Sequence, residues 1–345
     1  MTSEQIDRLV KDGQFADRRS LPELIETHIS WVVLCDNYAY KIKKPLHYSF
    51  LDFSTLDKRK YYCEREIDLN KRLTEDIYLD VAPVQEKEGL YSVILSGDSA
   101  QGTTIEFAVR MKKLDRNRQM DVLLLHNKVT GTHITSLAEK IAAFHKRTDI
   151  IYKKDCWDLH VKFNDLAAEI PYLQQYSGEA GEDGAGIINR AIDCSNTFME
   201  RHHHLLVGRL EAGYFRDCHG DLHSRNIFLL PSPEPFDCIE FNDEYRQIDV
   251  LNEVAFLCMD LEAFGRPDLS RMFISDYNRF FSAMRSAEEQ QLFLYYKAYR
   301  ANIRAKVNVL RARGADDDLC RDALLTEAGK YLLLMDGYIN DLIAG

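Results

Sequence analysis

No two of the eight cysteines stand in a CxxC spacing, which removes the common thiolate zinc frameworks and dithiol redox motifs. Cys35, Cys63, Cys156, Cys194, Cys218, Cys238, Cys258 and Cys320 are scattered, and Cys238 and Cys258 sit in apolar runs. They read as small buried hydrophobes in a reducing compartment. No apolar run is long enough to span a bilayer, and residues 1–10 are polar and charged, unlike a secretory leader. The expectation is a cytoplasmic protein without a membrane association. A basic footprint is missing as well. The formal net charge is −11, so a nucleic-acid partner, whose phosphates require clustered Lys and Arg, is set aside. The acidic balance suits a cationic small substrate, but many enzymes are simply acidic. Glycine (17) and proline (8) are too few and too dispersed for a disordered or low-complexity chain, and no repeat or heptad pattern appears.

What is present is a core-forming composition, 46% hydrophobic over 345 residues, enough for one two-lobed domain or two modest ones. Residues 4–12 and 21–26 read as short helical or extended pieces. Residues 31–35 (WVVLC) and 38–43 (YAYKIK) are strands around an Asp36-Asn37 turn, a hairpin signal. The pattern over 55–73 predicts an amphipathic helix with Leu56, Cys63, Ile67, Leu69 and Leu73 inward. Residues 81–85, 91–95 and 104–109 are further strands. Beyond them the chain turns helical. Ser136 and Glu139 predict a capping box ahead of Leu137, Ile141 and Phe144. The run GEAGEDGAG at 178–186 predicts a flexible acidic loop, and 187–200 a helix. Residues 227–230 and 236–241 predict two strands flanking Pro231-Ser232-Pro233-Glu234-Pro235. From 250 onward the pattern is helical, with 287–313 the longest helix and Gly314 its stop. The composition shift near 110–115 divides the chain into 1–112 and 113–345.

The chemistry concentrates in His219-Gly220-Asp221-Leu222-His223-Ser224-Arg225-Asn226. An Asp followed five positions later by an Asn has the spacing of a kinase catalytic loop. One carboxylate accepts the proton of an attacking hydroxyl, and an amide oxygen further on reaches a metal bridging nucleotide phosphates. Glu240 follows in the apolar run 236–241 and offers the second oxygen ligand that magnesium needs.

These residues resemble the aminoglycoside phosphotransferase-like kinases, a family that includes choline kinase-like enzymes. The segments Thr27-His28-Ile29-Ser30-Trp31, Tyr40-Lys41-Ile42-Lys43-Lys44-Pro45 and Phe50-Leu51-Asp52-Phe53-Ser54-Thr55-Leu56 are similar to an uncharacterised bacterial branch of it. That branch often carries a C-terminal P-loop ATPase; this sequence has no GxxxxGK[ST], so only the kinase-like half is expected. The resemblance implies an α+β, two-lobed protein-kinase-like fold, with 1–112 the antiparallel-sheet nucleotide lobe and 113–345 the mostly helical catalytic and substrate lobe. It implies ATP and Mg as cofactors and a small-molecule hydroxyl as acceptor. Residue by residue, it implies Asp221 as base, Asn226 and Glu240 on magnesium, and Lys41 on the phosphates, oriented by Glu66. It places Thr27 and Ser30 in a phosphate-covering loop and Val109-Arg110-Met111 at the hinge beside adenine. Two departures stand out: Glu240 occupies the usual Asp position, and there is no glycine-rich loop.

Several positions carry a second reading. Lys43 shares the face of Lys41 by period two, and Glu64 competes with Glu66. Thr27 and Ser30 serve equally as an ordinary turn. His219 suits a structural role in the loop, and His223 either a packed ring or a substrate contact. Asp249, Glu253 and Asp260 form a solvated face with a helix cap, or an acidic wall for a cation. Arg300 and Arg304 form an ion-paired face, or meet a substrate anion. His202, His203 and His204 diverge around a helix and cannot share one ion. The rival functions are a nucleotide-binding pseudokinase that regulates a partner, and a protein kinase, although no activation-segment APE is visible.

Overall fold

The computed structural model describes residues 1–95, 102–175, 179–315 and 317–344, with the side chains of 179–183 outside that description. Two compact units are present: Met1–Leu123 with Arg225–Tyr245, and Leu124–Ser224 with Arg246–Gly345.

The first unit is built on a six-stranded antiparallel sheet. Its strands are β1 (Glu23–Glu26), β2 (Ser30–Leu34), β3 (Tyr38–Lys43), β4 (Tyr78–Lys87), β5 (Leu90–Val93) and β6 (Thr103–Lys112), in the order β1-β2-β3-β6-β4-β5. The β2–β3 hairpin forms where the sequence predicts it, with Leu34 opposite Ala39 and Ser30 opposite Lys43. Its turn is pinned by Asp17, whose carboxylate accepts the Asn37 and Tyr38 N–H groups at 2.7 and 3.0 Å. Strand alternation then sorts the side chains. Tyr40 and Ile42 of β3 join Trp31, Val33, Val84 and the N-terminal helix residues Ile6 and Leu9 in one buried cluster. Lys41 and Lys43 take the opposite face, toward the helix Leu56–Asn70, whose N-terminus is capped by Thr55.

A ribbon of Ile227–Leu229 and Pro233–Pro235 completes this unit. The strand expected over 236–241 is not one. The ladder is made by Pro233, Glu234 and Pro235, a two-strand ribbon that tolerates the missing proline donors. The following backbone N–H groups go elsewhere: Phe236 to the Asn226 carbonyl, Asp237 to Tyr78 Oη and Cys238 to Asn70 Oδ1.

The second unit is helical. Long helices run over Gly131–Arg147, Glu179–Glu211, Val250–Ala263, Pro267–Phe280, Ala287–Arg313 and Asp318–Ala344. The short strands Phe215–Asp217 and Gln247–Asp249 pair antiparallel beside them. Val250–Ala263 buries almost every residue, Asn252, Glu253 and Asp260 included.

Two expectations are corrected here. The Gly131–Arg147 helix starts five residues before Ser136, because Thr130 and His133 make the reciprocal cap, the imidazole standing where a Glu was expected. The loop expected at 178–186 is helical from Glu179, while residue 178 lies outside the described residues. Each glycine costs a helix about 1 kcal/mol, yet a Cβ on Gly184 would stand 3.3 Å from Leu332 Cδ1. The small residue there allows close approach of the C-terminal helix.

The eight cysteines are all free thiols, six of them buried. Burial pushes the Cys63 and Cys258 thiols up to about 12, as befits inert core residues.

Candidate active site

The resemblance pairs Glu66 with Lys41, and Lys43 shares that strand face. Both lysines meet Glu66. Glu66 is fully buried and bridges Lys41 Nζ at 2.8 Å and Lys43 Nζ at 2.7 Å through its two oxygens. Lys41 also reaches Asp237 at 2.5 Å, and Lys43 reaches Glu240. The Lys43 side chain has no exposure, and that of Lys41 has 11%. A buried ammonium needs compensation, and the Lys43 charge sits between two carboxylates with the Phe53 ring 5.0 Å away. Asp237 adopts φ 63°, a strained backbone for a non-glycine residue. This places its carboxylate, 42% exposed, on Lys41.

The cluster therefore holds two ammonium groups against three carboxylates. Burial opposes the Glu66 carboxylate, but Lys41 and Lys43 outweigh it and hold its pKa down at about 2. Glu240 goes the other way: burial, reinforced by the charge of Glu66, pushes it up in spite of Lys43. Three carboxylates share two lysines, and Glu240 is the one left under-compensated. The third carboxylate, Asp237, is the partly exposed one, and it adds an oxygen donor to the buried pairs. Oxygen donors at Glu240 and Asn226, the latter only 8% exposed, are of the type magnesium takes.

In the second unit the motif loop is held from beneath. Glu253 Oε1 accepts the His219 N–H at 2.6 Å and its Oε2 the Gly220 N–H at 3.0 Å. Gly220 has φ 90°, the left-handed region where glycine carries no Cβ penalty. Arg300 donates to the Gly220 carbonyl at 3.3 Å, and Asp260 accepts the Ser224 N–H at 2.8 Å. His219 is buried, and its Nδ1 accepts the Asp221 N–H at 3.2 Å. The loop geometry is thus fixed by side chains on both of its flanks.

Asp221 keeps 39% of its side chain exposed, and His223 Nε2 lies 3.3 Å from its Oδ2. Its half-buried surroundings push its carboxyl up, but His223, then Arg304 and His219, outweigh this and hold it well below the usual carboxylate range. It stays ionised at neutral pH and can accept a proton in a reaction. His223 is also packed, with its ring 5.2 Å from Phe256.

The remaining expected residues are placed as follows. Thr27 is at the β1–β2 tip, but its hydroxyl donates to the Ser30 carbonyl and accepts the Ser30 N–H, both at 2.9 Å. Ser30 is fully buried, and its own Oγ has no hydrogen-bond partner. These two hydroxyls are committed to a turn and to the interior. Val109 and Met111 lie within β6, paired to β3 on one side and β4 on the other. They stand three residues and one residue before Lys112, where the chain leaves the sheet. The acidic wall does not form. Asp249 caps its helix and pairs with Arg209, while Glu253 and Asp260 serve loop amides. His202 stacks on Phe198 and His203 lies edge-on to Trp157.

Glu253 and Asp237 carry roles that the sequence reading missed. The Asp249/Glu253/Asp260 spacing was visible, but not that its middle member faces two backbone amides. Asp237 stood beside Glu240 in an apolar run, and only its left-handed backbone turns it toward Lys41.

Comparison with known proteins adds the following. No family model matches the chain. An uncharacterised protein of Mycobacterium tuberculosis and one of Mycobacterium bovis are each 32% identical over 320 residues, covering 91% of this chain. The chain spans 59% of the length of these relatives. Among solved structures, a choline kinase from Cryptosporidium parvum Iowa II superposes with TM-score 0.54 at 13% identity, covering 99% of this chain and 97% of that one. The GDP and kanamycin complex of APH(2")-IIia gives TM-score 0.50 at 11% identity, covering 95% and 98%. At such identities the likeness shows the fold: α+β and protein-kinase-like, with a curled antiparallel sheet in the N-terminal part and a helical C-terminal region.

Proposed function

We propose that this chain is a small-molecule kinase that transfers the γ-phosphoryl group of ATP to a hydroxyl. The observation that carries the reading is the motif loop. Asp221 is kept ionised and partly exposed on a loop whose backbone is anchored by Glu253 and Arg300. A carboxylate held that way accepts the acceptor's proton and orients its oxygen. The fold supports the reading, since the solved neighbours named above include a choline kinase and a kanamycin complex.

In this reading Lys41 contacts the nucleotide phosphates and Glu66 positions it. Lys43 pairs with Glu66 and Glu240 in the interior. Asn226 and Glu240 are the residues that would hold magnesium, with Asp237 beside them. Bound there, magnesium would neutralise charge on the phosphates. Thr27 and Ser30 contribute the shape of the β1–β2 tip, their own amides being used within it.

The acceptor is a hydroxyl compound that does not depend on a carboxylate wall, because Asp249, Glu253 and Asp260 are spent inside the protein. The test is a metabolite-pool phosphorylation assay with purified protein, ATP and magnesium, read by mass spectrometry, with Asp221→Ala as control. A phosphorylated product that appears with the wild type and is absent with the control supports the reading. Binding of ATP with no product in any pool would favour the nucleotide-binding regulator instead.

A further inference from the structure

Beneath the motif loop, three groups from three different segments converge. His145 ends the Gly131–Arg147 helix, Cys218 immediately precedes the motif, and Glu253 sits in the first turn of Val250–Ala263. All three have zero exposure. The donor atoms Nδ1 or Nε2, Sγ and a carboxylate oxygen lie within 4.8 Å of one another, the one such group among the described residues.

The imidazole is the informative member. His145 Nδ1 is 2.7 Å from Tyr277 Oη. Its Nε2 is buried without a hydrogen-bond partner and stands 3.9 Å from Glu253 Oε1. That separation is too long for a hydrogen bond. A buried ring nitrogen without a partner is costly. Ligating histidines characteristically fix one ring N–H on an outer partner and aim the other nitrogen at a metal. Tyr277 Oη, fully buried, can accept an Nδ1–H in that way. Glu253 uses one lone pair on each oxygen for the His219 and Gly220 amides and keeps others. Cys218 Sγ lies 3.5 Å from the Ile248 carbonyl, a weak thiol contact that a thiolate ligand would give up.

We propose that His145, Cys218 and Glu253 form a three-donor site, with its fourth position open, for a first-row divalent cation of borderline softness, zinc above all. Nitrogen, sulfur and oxygen donors together match that ion, and a thiolate with a carboxylate balances its two charges. Tetrahedral zinc with bonds of about 2 Å to N and O sets those atoms about 3.3 Å apart. The His145–Glu253 separation of 3.9 Å, and the 4.8 Å within which all three donor atoms lie, must therefore contract when the ion binds. The ion clamps the motif loop twice, through Cys218 three residues before Asp221 and through the carboxylate that holds the next two amides. It is a positioning device and touches no substrate. The site is independent of which phosphoryl acceptor, if any, the chain uses.

The experiment uses the full chain without a polyhistidine tag, produced in zinc- or cobalt-supplemented medium and washed with chelator. Metal is counted by mass spectrometry, and the cobalt form is examined for a thiolate-to-metal charge-transfer band. The expected result is about one ion per chain, a charge-transfer band in the cobalt form, and loss of both in Cys218→Ala. Less than about a tenth of an ion per chain in the wild type would overturn the proposal. So would a cobalt form without the band, or a band that survives in Cys218→Ala. The wild-type measurements decide even if that variant does not fold.

Discussion

At Lys43 the side chain has no exposure and binds two buried carboxylates, so its removal strands Glu66 and Glu240 in the interior. Breaking a buried pair by deleting one partner costs about 3–5 kcal/mol. Lys43→Met is therefore expected to lower stability by about that amount in denaturant titration. Lys41→Met should cost less, because Asp237 can turn to water, and should show its main effect on ATP affinity. Equal destabilisation by the two variants would contradict this division. The acid limb of stability follows from Glu66. Its folded pKa, about 2, lies below the ordinary carboxylate value. The charge thus stabilises the fold above the ordinary value, and that contribution disappears as pH falls toward 2. Glu66→Gln should then narrow its stability gap to the wild type across that interval, and a gap independent of pH would refute the assignment. Glu240 carries a raised pKa, so magnesium and protons compete for it. Glu240→Asp is expected to lose activity because the shorter arm undershoots the ion, and Glu240→Gln to lose more. Turnover against magnesium concentration measures both, and an Asp variant equal to the wild type would mark Glu240 as a degraded ligand. At this scale the strand period put Lys41 and Lys43 on one face, and the resemblance implied Glu66 as the partner of Lys41. Neither showed that one carboxylate serves both lysines, because that depends on where the helix sits over the sheet.

At the scale of elements, Val250–Ala263 anchors the motif. Glu253 accepts two amides with two oxygens, and an amide side chain can offer only one acceptor. Glu253→Gln turns an NH2 group against a backbone N–H and should cost about 1–3 kcal/mol. Turnover should fall while ATP affinity, measured by calorimetry, stays near that of the wild type. A variant with unchanged turnover would remove Glu253 from the loop's support. Local patterns were legible wherever packing and propensity agree, as in the β2–β3 hairpin and the Leu56–Asn70 helix. They misled where a distant partner decided. Close approach of the C-terminal helix suits glycine at 184. Asn70 and Tyr78 take the donors of a segment that otherwise reads as a strand.

At the scale of the molecule, the sheet-bearing unit is not contiguous in sequence, for residues 225–245 return to it. A composition shift cannot reveal such a return, since contacts rather than composition define it. A fragment of residues 1–123 lacks Asp237 and Glu240 and leaves Lys43 with half its compensation. It should show no cooperative thermal transition by circular dichroism, and a sharp transition would show that the unit needs no return segment. The protein-kinase-like fold was legible from one eight-residue motif and a few lysine and aromatic positions, whereas the acceptor was not, because fold does not specify substrate. The central claim is that Asp221 is the base of a phosphoryl transfer. The most direct measurement is transfer of labelled γ-phosphoryl from ATP to the acceptor found in the metabolite assay, compared between the wild type and Asp221→Asn, with ATP–magnesium binding followed by thermal shift. The account predicts an unchanged thermal shift and a loss of transfer of about 100-fold or more. Transfer by Asp221→Asn near the wild-type rate would contradict it.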